Sequence, residues 1–239
     1  MGTTGQIIEV SSMKHKWIAK NNNKSLILFF NGWGMDGGIC RILNSKNSDD
    51  FLMFYDYKDL TLPVALDELC ELYEKTTLIA WSFGVWVAEK VLSQKDIKFS
   101  HKIALNGTGK PIDSEYGIPP EIYQATLDTY SQKTKIKFRR RMCADRNTFK
   151  QFTPFVSQRN AEDQKEELKL LQQYIVADYA INRGNFYDDA IIGNKDKIIP
   201  SKNQINYWKK NKTKYSLLNA PHIPFFCWNN WNDLEEHKK

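Results

Sequence analysis

The chain is poor in the residues that build metal or disulfide frameworks. Its four cysteines, Cys40, Cys70, Cys143 and Cys227, are scattered with no C-x-x-C pair, and only four histidines occur in 239 residues. A structural zinc site is not expected from that inventory, and neither metal nor cofactor is assigned. Dispersed thiols fit a reducing compartment, the cytoplasm, better than a cross-linked secreted scaffold. No apolar run approaches the roughly 20 residues that a bilayer span requires. The N-terminus lacks a basic stretch followed by an apolar one, so no signal peptide is expected and no membrane association. There is no internal repeat and no low-complexity tract.

What is present points to a packed interior. Hydrophobic residues make up 41% and aromatics 13%, which argues against wide disorder. The length suits one domain, or one domain with a large insertion. A net charge of +6 is modest. It does not by itself indicate nucleic acid, and it leaves room for an acidic partner. Residues 1–12, MGTTGQIIEVSS, read as a tag or linker and are set aside from the fold.

Continuous apolar runs alternate with helical patterns. LILFF from Leu26, FLMFY from Phe51, TTLIAW from Thr76 and HKIAL from His101 read as buried strands of a mostly parallel sheet. LDELCELYEK from Leu66 and VWVAEKVLSQ from Val85 read as the helices between them, which makes the class α/β. After Gly109 the rhythm changes to helices only, among them PPEIYQATLDTYSQ, with proline at its start, and EDQKEELKLLQQYIVADYAI. Strands return at DAIIG and KYSLL. The expected organisation is a core of 13–113 and 188–239 with a helical lid insertion of 114–187.

One segment carries chemistry. In LIAWSFGVWVAEK, Ser82 stands between a buried strand and a helix, with Ala80 two residues before it and Gly84 two after. A nucleophilic serine needs such a turn to push its hydroxyl out of the sheet, and the helix N-terminus behind it favours developing negative charge. A serine in this place is more commonly a helix N-cap. In α/β-hydrolases the order is nucleophile, acid, histidine. Of the histidines after Ser82, His101 begins a strand at the wrong end of the sheet and His237 lies in the charged tail. His222 follows the strand KYSLL and is the expected base. The acid is expected in the loop after the preceding strand, where Asp196 lies; Asp56, after FLMFY, is the alternative but precedes the serine. An oxyanion needs two donors. Phe83 N–H, next to the nucleophile, and Trp33 N–H, in the glycine turn NGWG after an early strand, are the candidates; NGWG is equally the pattern of an ordinary β-turn.

Taken together, LILFFNGWGMD, FYDYKDL, AWSFGVWVAEKVL, ALNGTGKPIDSEYGIP, KIKFRRRMCADRNTF and NKDKIIPSKNQINYW resemble the BioG family, in order, from Leu26 to Trp228. The resemblance implies an α/β-hydrolase fold and a serine carboxylesterase. It would remove the methyl ester from pimeloyl-acyl carrier protein in biotin precursor synthesis, with Ser82 as nucleophile, Asp196 as acid and His222 as base. Related esterases carry HGWG where this chain has Asn31, which puts the support of the oxyanion loop in question. The implied partner is an acidic acyl carrier protein rather than nucleic acid, and a monomer is expected. From Lys133 to Lys150 the chain has eight Lys or Arg and one acid, Asp145. Lys137, Arg139, Arg140 and Arg141 are the docking candidates, because arginine pairs bidentately with carboxylate and phosphate. Three consecutive arginines cannot all point one way on a helix, so at most two of them face the partner. A solvated basic helix face is the commoner fate of such a run. Two other readings stand beside this one: a general small-acyl carboxylesterase or thioesterase with the same triad, and a non-catalytic protein of the same fold that binds RNA through the basic helix.

Overall fold

The computed structural model describes residues 12–43, 49–179 and 185–235. The segment read as a tag or linker, save Ser12, and His237 lie outside the described residues. Seven strands form one sheet in the order β1-β3-β2-β4-β5-β6-β7. They are β1 (Lys14–Ala19), β2 (Ser25–Phe30), β3 (Asp49–Tyr55), β4 (Lys75–Trp81), β5 (His101–Leu105), β6 (Asp189–Gly193) and β7 (Lys214–Leu218). All pairings are parallel except β1 with β3. The central strands are unbroken apolar runs because both faces are covered. Leu26 to Phe30 and Leu78 to Trp81 are all buried. Beneath the sheet, the Trp231 ring meets Phe29, Phe51 and Phe225 at centroid separations of 4.8, 4.9 and 5.5 Å. Each buried ring contributes about 2–3 kcal/mol of transfer free energy.

Strand β1 was not among the expected strands. It is an edge strand, and its first three residues, Lys14, His15 and Lys16, are exposed. Charged side chains on an edge discourage pairing with other chains, and they also erase the apolar signature by which strands are read.

Helices α1 (Leu66–Glu71), α2 (Phe83–Leu92) and α7 (Ser201–Lys210) accompany the sheet. Four more lie between β5 and β6: α3 (Pro120–Thr129), α4 (Gln132–Cys143), α5 (Arg146–Phe152) and α6 (Ala161–Asp178). They fall within the stretch read as helical from its sequence. Their boundaries follow capping chemistry. Proline opens α3, where its missing N–H costs nothing. Ser131 and Thr134 form a capping box on α4, and Asp145 and Asn160 cap α5 and α6. No helix among the described residues is long and apolar enough to cross a membrane.

Candidate active site

Strand β4 runs into Ser82, whose φ of 58° and ψ of −125° mark a sharp, strained turn before α2. A non-glycine residue held there costs about 1–3 kcal/mol, which the surrounding packing must offset. Crowding explains the small neighbours. A Cβ on Gly84 would lie 2.3 Å from the Phe30 carbonyl oxygen, and one on Gly107 would lie 2.4 Å from that of Ser82. A larger residue at either place would push the turn off the sheet.

The Ser82 hydroxyl lies 2.9 Å from His222 Nε2, and His222 Nδ1 lies 2.7 Å from Asp196 Oδ2. All three residues are buried. The loop after β7 carries His222, and its shape is held from beneath. Trp81 Nε1 donates to the His222 carbonyl at 2.9 Å, and Asn106 Nδ2 donates to those of Pro221 and His222. The Asp196 carboxylate, in the loop after β6, accepts from the amides of Ile198 and Ile199 and from Gln204 Nε2 as well as from the histidine. Its orientation is therefore fixed before any substrate arrives.

Asp56 lies elsewhere. It accepts from Arg159 Nη2 at 2.9 Å and pairs with Lys14. His101 sits at the start of β5, with Nε2 2.7 Å from Asp189 Oδ2.

The turn after β2 brings Trp33 to the same end of the sheet. Asn31 Oδ1 accepts from Gly32 N–H at 2.8 Å, and Asn31 Nδ2 donates to the Asp36 carbonyl at 3.0 Å. Asparagine thus supplies the loop support that the replaced histidine left in question. The backbone N–H groups of Trp33 and Phe83 have no protein acceptor among the described residues. Two buried, free donors beside a hydroxyl–imidazole–carboxylate file can receive an oxyanion.

Trp33 and Phe83 also line a narrow, mostly apolar slot, with Tyr123, Phe138 and Leu168 along it and Arg141 among its polar lining. Of the four docking candidates, Lys137, Arg140 and Arg141 are exposed and Arg139 is half-buried. Arg139 Nη2 donates to the Ser157 carbonyl at 2.6 Å, Arg141 Nε to that of Lys197, and Arg140 lies over the Phe149 ring. Arg139 is therefore a poor candidate for an outward charge.

Sequence reading missed a second layer. Arg159 binds three carboxylates at once: Asp163 at 2.7 Å, Glu167 at 2.7 Å and Asp56 at 2.9 Å. Lys58 joins through Asp163 at 2.5 Å. The available signal was periodicity, since Gln164 and Glu167 fall on the same face of α6 as Leu168, Leu171 and Ile175, all buried.

Acid should loosen this anchor. Burial raises the Asp163 pKa, but hydrogen bonds from Arg159 and Lys58 outweigh it and hold the carboxyl well below its ordinary range, at about 2. A folded pKa below the unfolded one adds stability that is present above the unfolded value and is lost as pH falls through the folded one. The thermal midpoint should drop between pH about 4 and about 2, and Asp163→Asn should flatten that slope. Calorimetry across the window tests this; an equal slope in the variant would contradict it.

A strained serine turn, an imidazole and a carboxylate at the carboxyl ends of a mostly parallel sheet define the α/β-hydrolases, and this chain is a hydrolase of that fold. It belongs to the BioG family: the family model described as pimeloyl-ACP methyl esterase BioG matches residues 13–234. A crystal structure of BioG from Haemophilus influenzae is similar at TM-score 0.84 and 34% identity, covering 93% of this chain and 99% of that one. A malonyl-[acyl-carrier protein] O-methyltransferase of Bacteroides fragilis is 39% identical over 201 residues, which are 83% of this chain but 39% of that protein. The chain thus spans about two-fifths of that relative's length. A structure described as a putative aryl esterase from Burkholderia cenocepacia shares the fold at TM-score 0.60 and 16% identity, with 94% of this chain and 89% of that one covered.

Proposed function

We propose that the protein is a serine esterase that hydrolyses the methyl ester of a pimeloyl group borne by an acyl carrier protein, in biotin precursor synthesis. The observation that carries this reading is the file Ser82–His222–Asp196, at 2.9 and 2.7 Å, within a chain of the BioG family. Ser82 Oγ attacks the ester carbonyl carbon while His222 Nε2 takes its proton. The carbonyl oxygen becomes an oxyanion between the N–H groups of Trp33 and Phe83. Asp196 holds the imidazolium. Collapse expels methanol, which takes the proton from His222. Water, deprotonated by the same imidazole, then cleaves the acyl-enzyme and frees the carboxylate. The apolar slot holds the methylene chain, and residues 114–187 act as the lid over the core segments 13–113 and 188–239.

Incubating the protein with methyl pimeloyl-carrier and weighing the product tests the reading. A carrier lighter by one methylene is expected. An unchanged mass would overturn it, and loss of the whole acyl group would favour a thioesterase.

The carrier docks on α4. Lys137, Arg140 and Arg141 offer the outward charge, and Arg141 also reaches the slot, where the phosphate of the carrier's prosthetic arm would pass. Lys137→Glu with Arg140→Glu should raise KM for the carrier-linked ester at least tenfold and weaken its salt dependence, because rim charges act mainly on association. Hydrolysis of a small soluble nitrophenyl ester should stay within twofold. Equal loss on both substrates would mean that α4 is structural; no loss on either would place the carrier elsewhere.

A further inference from the structure

Helix α6 grips the turn that carries Trp33 at Gly34 and at the Trp33 ring. Glu167, fully buried, accepts from Gly34 N–H through Oε2 at 3.1 Å and from Tyr57 N–H through Oε1 at 2.9 Å. Gln164, equally enclosed, donates through Nε2 to the Gly34 carbonyl at 2.5 Å, and its own backbone carbonyl accepts from Trp33 Nε1 at 2.7 Å. Both faces of Gly34 are thus gripped by one helix. Gly34 has a φ of 71°, and a Cβ there would meet Gln164 Nε2 at 3.3 Å, so the helix is pressed against the turn. The Tyr57 hydroxyl completes a triangle by donating to the Asn31 carbonyl at 2.8 Å. On the other side of Trp33, Gly32 N–H is taken by Asn31. The amides of Gly32 and Gly34, on either side of Trp33, are both taken by side chains, while the Trp33 N–H has no protein acceptor among the described residues.

We propose that Glu167 and Gln164 are positioning residues that set the oxyanion donor of Trp33, with Arg159 and Asp56 holding Glu167 in place. This rests on the serine-esterase reading and adds to it the helix that makes the donor competent. A buried carboxylate facing two amide donors needs a neighbouring cation to remain charged. Arg159 supplies it, Asp56 and Asp163 balance the guanidinium in turn, and Lys58 pairs with both of those carboxylates. The acid that sequence order set aside thus bears on the same site by a different route. Asp56 and Lys58 follow strand β3, and Arg159 with the helix α6 behind it reaches over from between β5 and β6.

Geometry explains why glutamate is needed. Its two oxygens meet two amide donors and an arginine, whereas glutamine would turn an N–H₂ toward one of those donors. A donor displaced by about 1 Å costs about 10²-fold in turnover. Glu167→Gln should therefore lower kcat for a nitrophenyl ester about 10²-fold with KM within twofold. The dissociation constant of an alkyl boronic acid, which forms a tetrahedral adduct on the serine, should rise by the same factor. Tyr174→Phe is the control. It removes another bond from α6, to the Lys58 carbonyl, without touching the turn. It should lower the thermal midpoint and leave kcat and boronate affinity unchanged. If Glu167→Gln does not fold, Gln164→Met carries the same expectation. A folded variant with unaltered kcat and boronate affinity would overturn the proposal, as would a Tyr174→Phe that loses both. Nitrophenyl esterase activity that survives Ser82→Ala would overturn the serine-esterase reading itself. The two failures are therefore distinct.

Discussion

Ser82→Ala should lower ester turnover about 10⁶-fold, the scale on which a catalytic triad loses its nucleophile. The expectation is large because nothing nearby can substitute. The attacking atom is fixed by a backbone strained at φ 58°, and its proton acceptor lies 2.9 Å away on His222. Alanine removes the attacking atom and leaves the remaining geometry in place. The residual rate over water, about 10³–10⁴, would come from the oxyanion donors and binding alone. Methanol release from the carrier-linked ester measures it, with circular dichroism to confirm the fold. A folded variant retaining a tenth of wild-type turnover would remove Ser82 from the mechanism.

Asp196→Asn should cost about 10⁴-fold near neutral pH. The asparagine would keep the shape but offer one acceptor where four donors now converge: the amides of Ile198 and Ile199, Gln204 Nε2 and His222 Nδ1. If its carbonyl stays on the two amides, its N–H₂ faces the imidazole. The tautomer that presents a free Nε2 lone pair to Ser82 is then disfavoured. Asp56→Asn provides the contrast. Its carboxylate touches Arg159, not His222, so the variant should lower the thermal midpoint and reduce turnover far less. If Asp56→Asn alone abolished activity, with both proteins folded, the acid would be misassigned.

The two aspartates mark how far a linear reading reaches. Both follow strands, and both have lysines close by in sequence. Chain order favoured Asp196, and the structure sets it against the imidazole and Asp56 against a guanidinium. Strands β2 and β4 were legible because burial on both faces demands uninterrupted apolar residues. Strand β1 was not, because an edge is built from lysine. Consecutive arginines 139–141 lie about 100° apart around a helix, so sequence limits how many face outward but not which. Arg139 is the one turned inward, by the Ser157 carbonyl. Glu167 and Gln164 were hidden for another reason. Their partner, the turn at Gly34, lies more than a hundred residues away in the chain. Buried polar positions in an amphipathic helix signal a contact without naming it.

The insertion also governs how the molecule comes into being. Strands β5 and β6 are hydrogen-bonded neighbours, Ile103 beside Asp189, yet the chain leaves the sheet between them to build α3, α4, α5 and α6. Closing so long a loop adds only about 0.6 kcal/mol per doubling of its length, so the finished protein tolerates it. Kinetics bears the greater burden, since distant pairings form late and slowly. Ser82 belongs to the half that is made first on the ribosome, and Asp196 and His222 to the half made last. The contact between Ser82 and His222 joins the two halves, and it forms only once the late strands dock through β6 onto β5. Catalytic competence is therefore a report on a long-range event in folding, and a nascent chain halted before β7 still lacks His222.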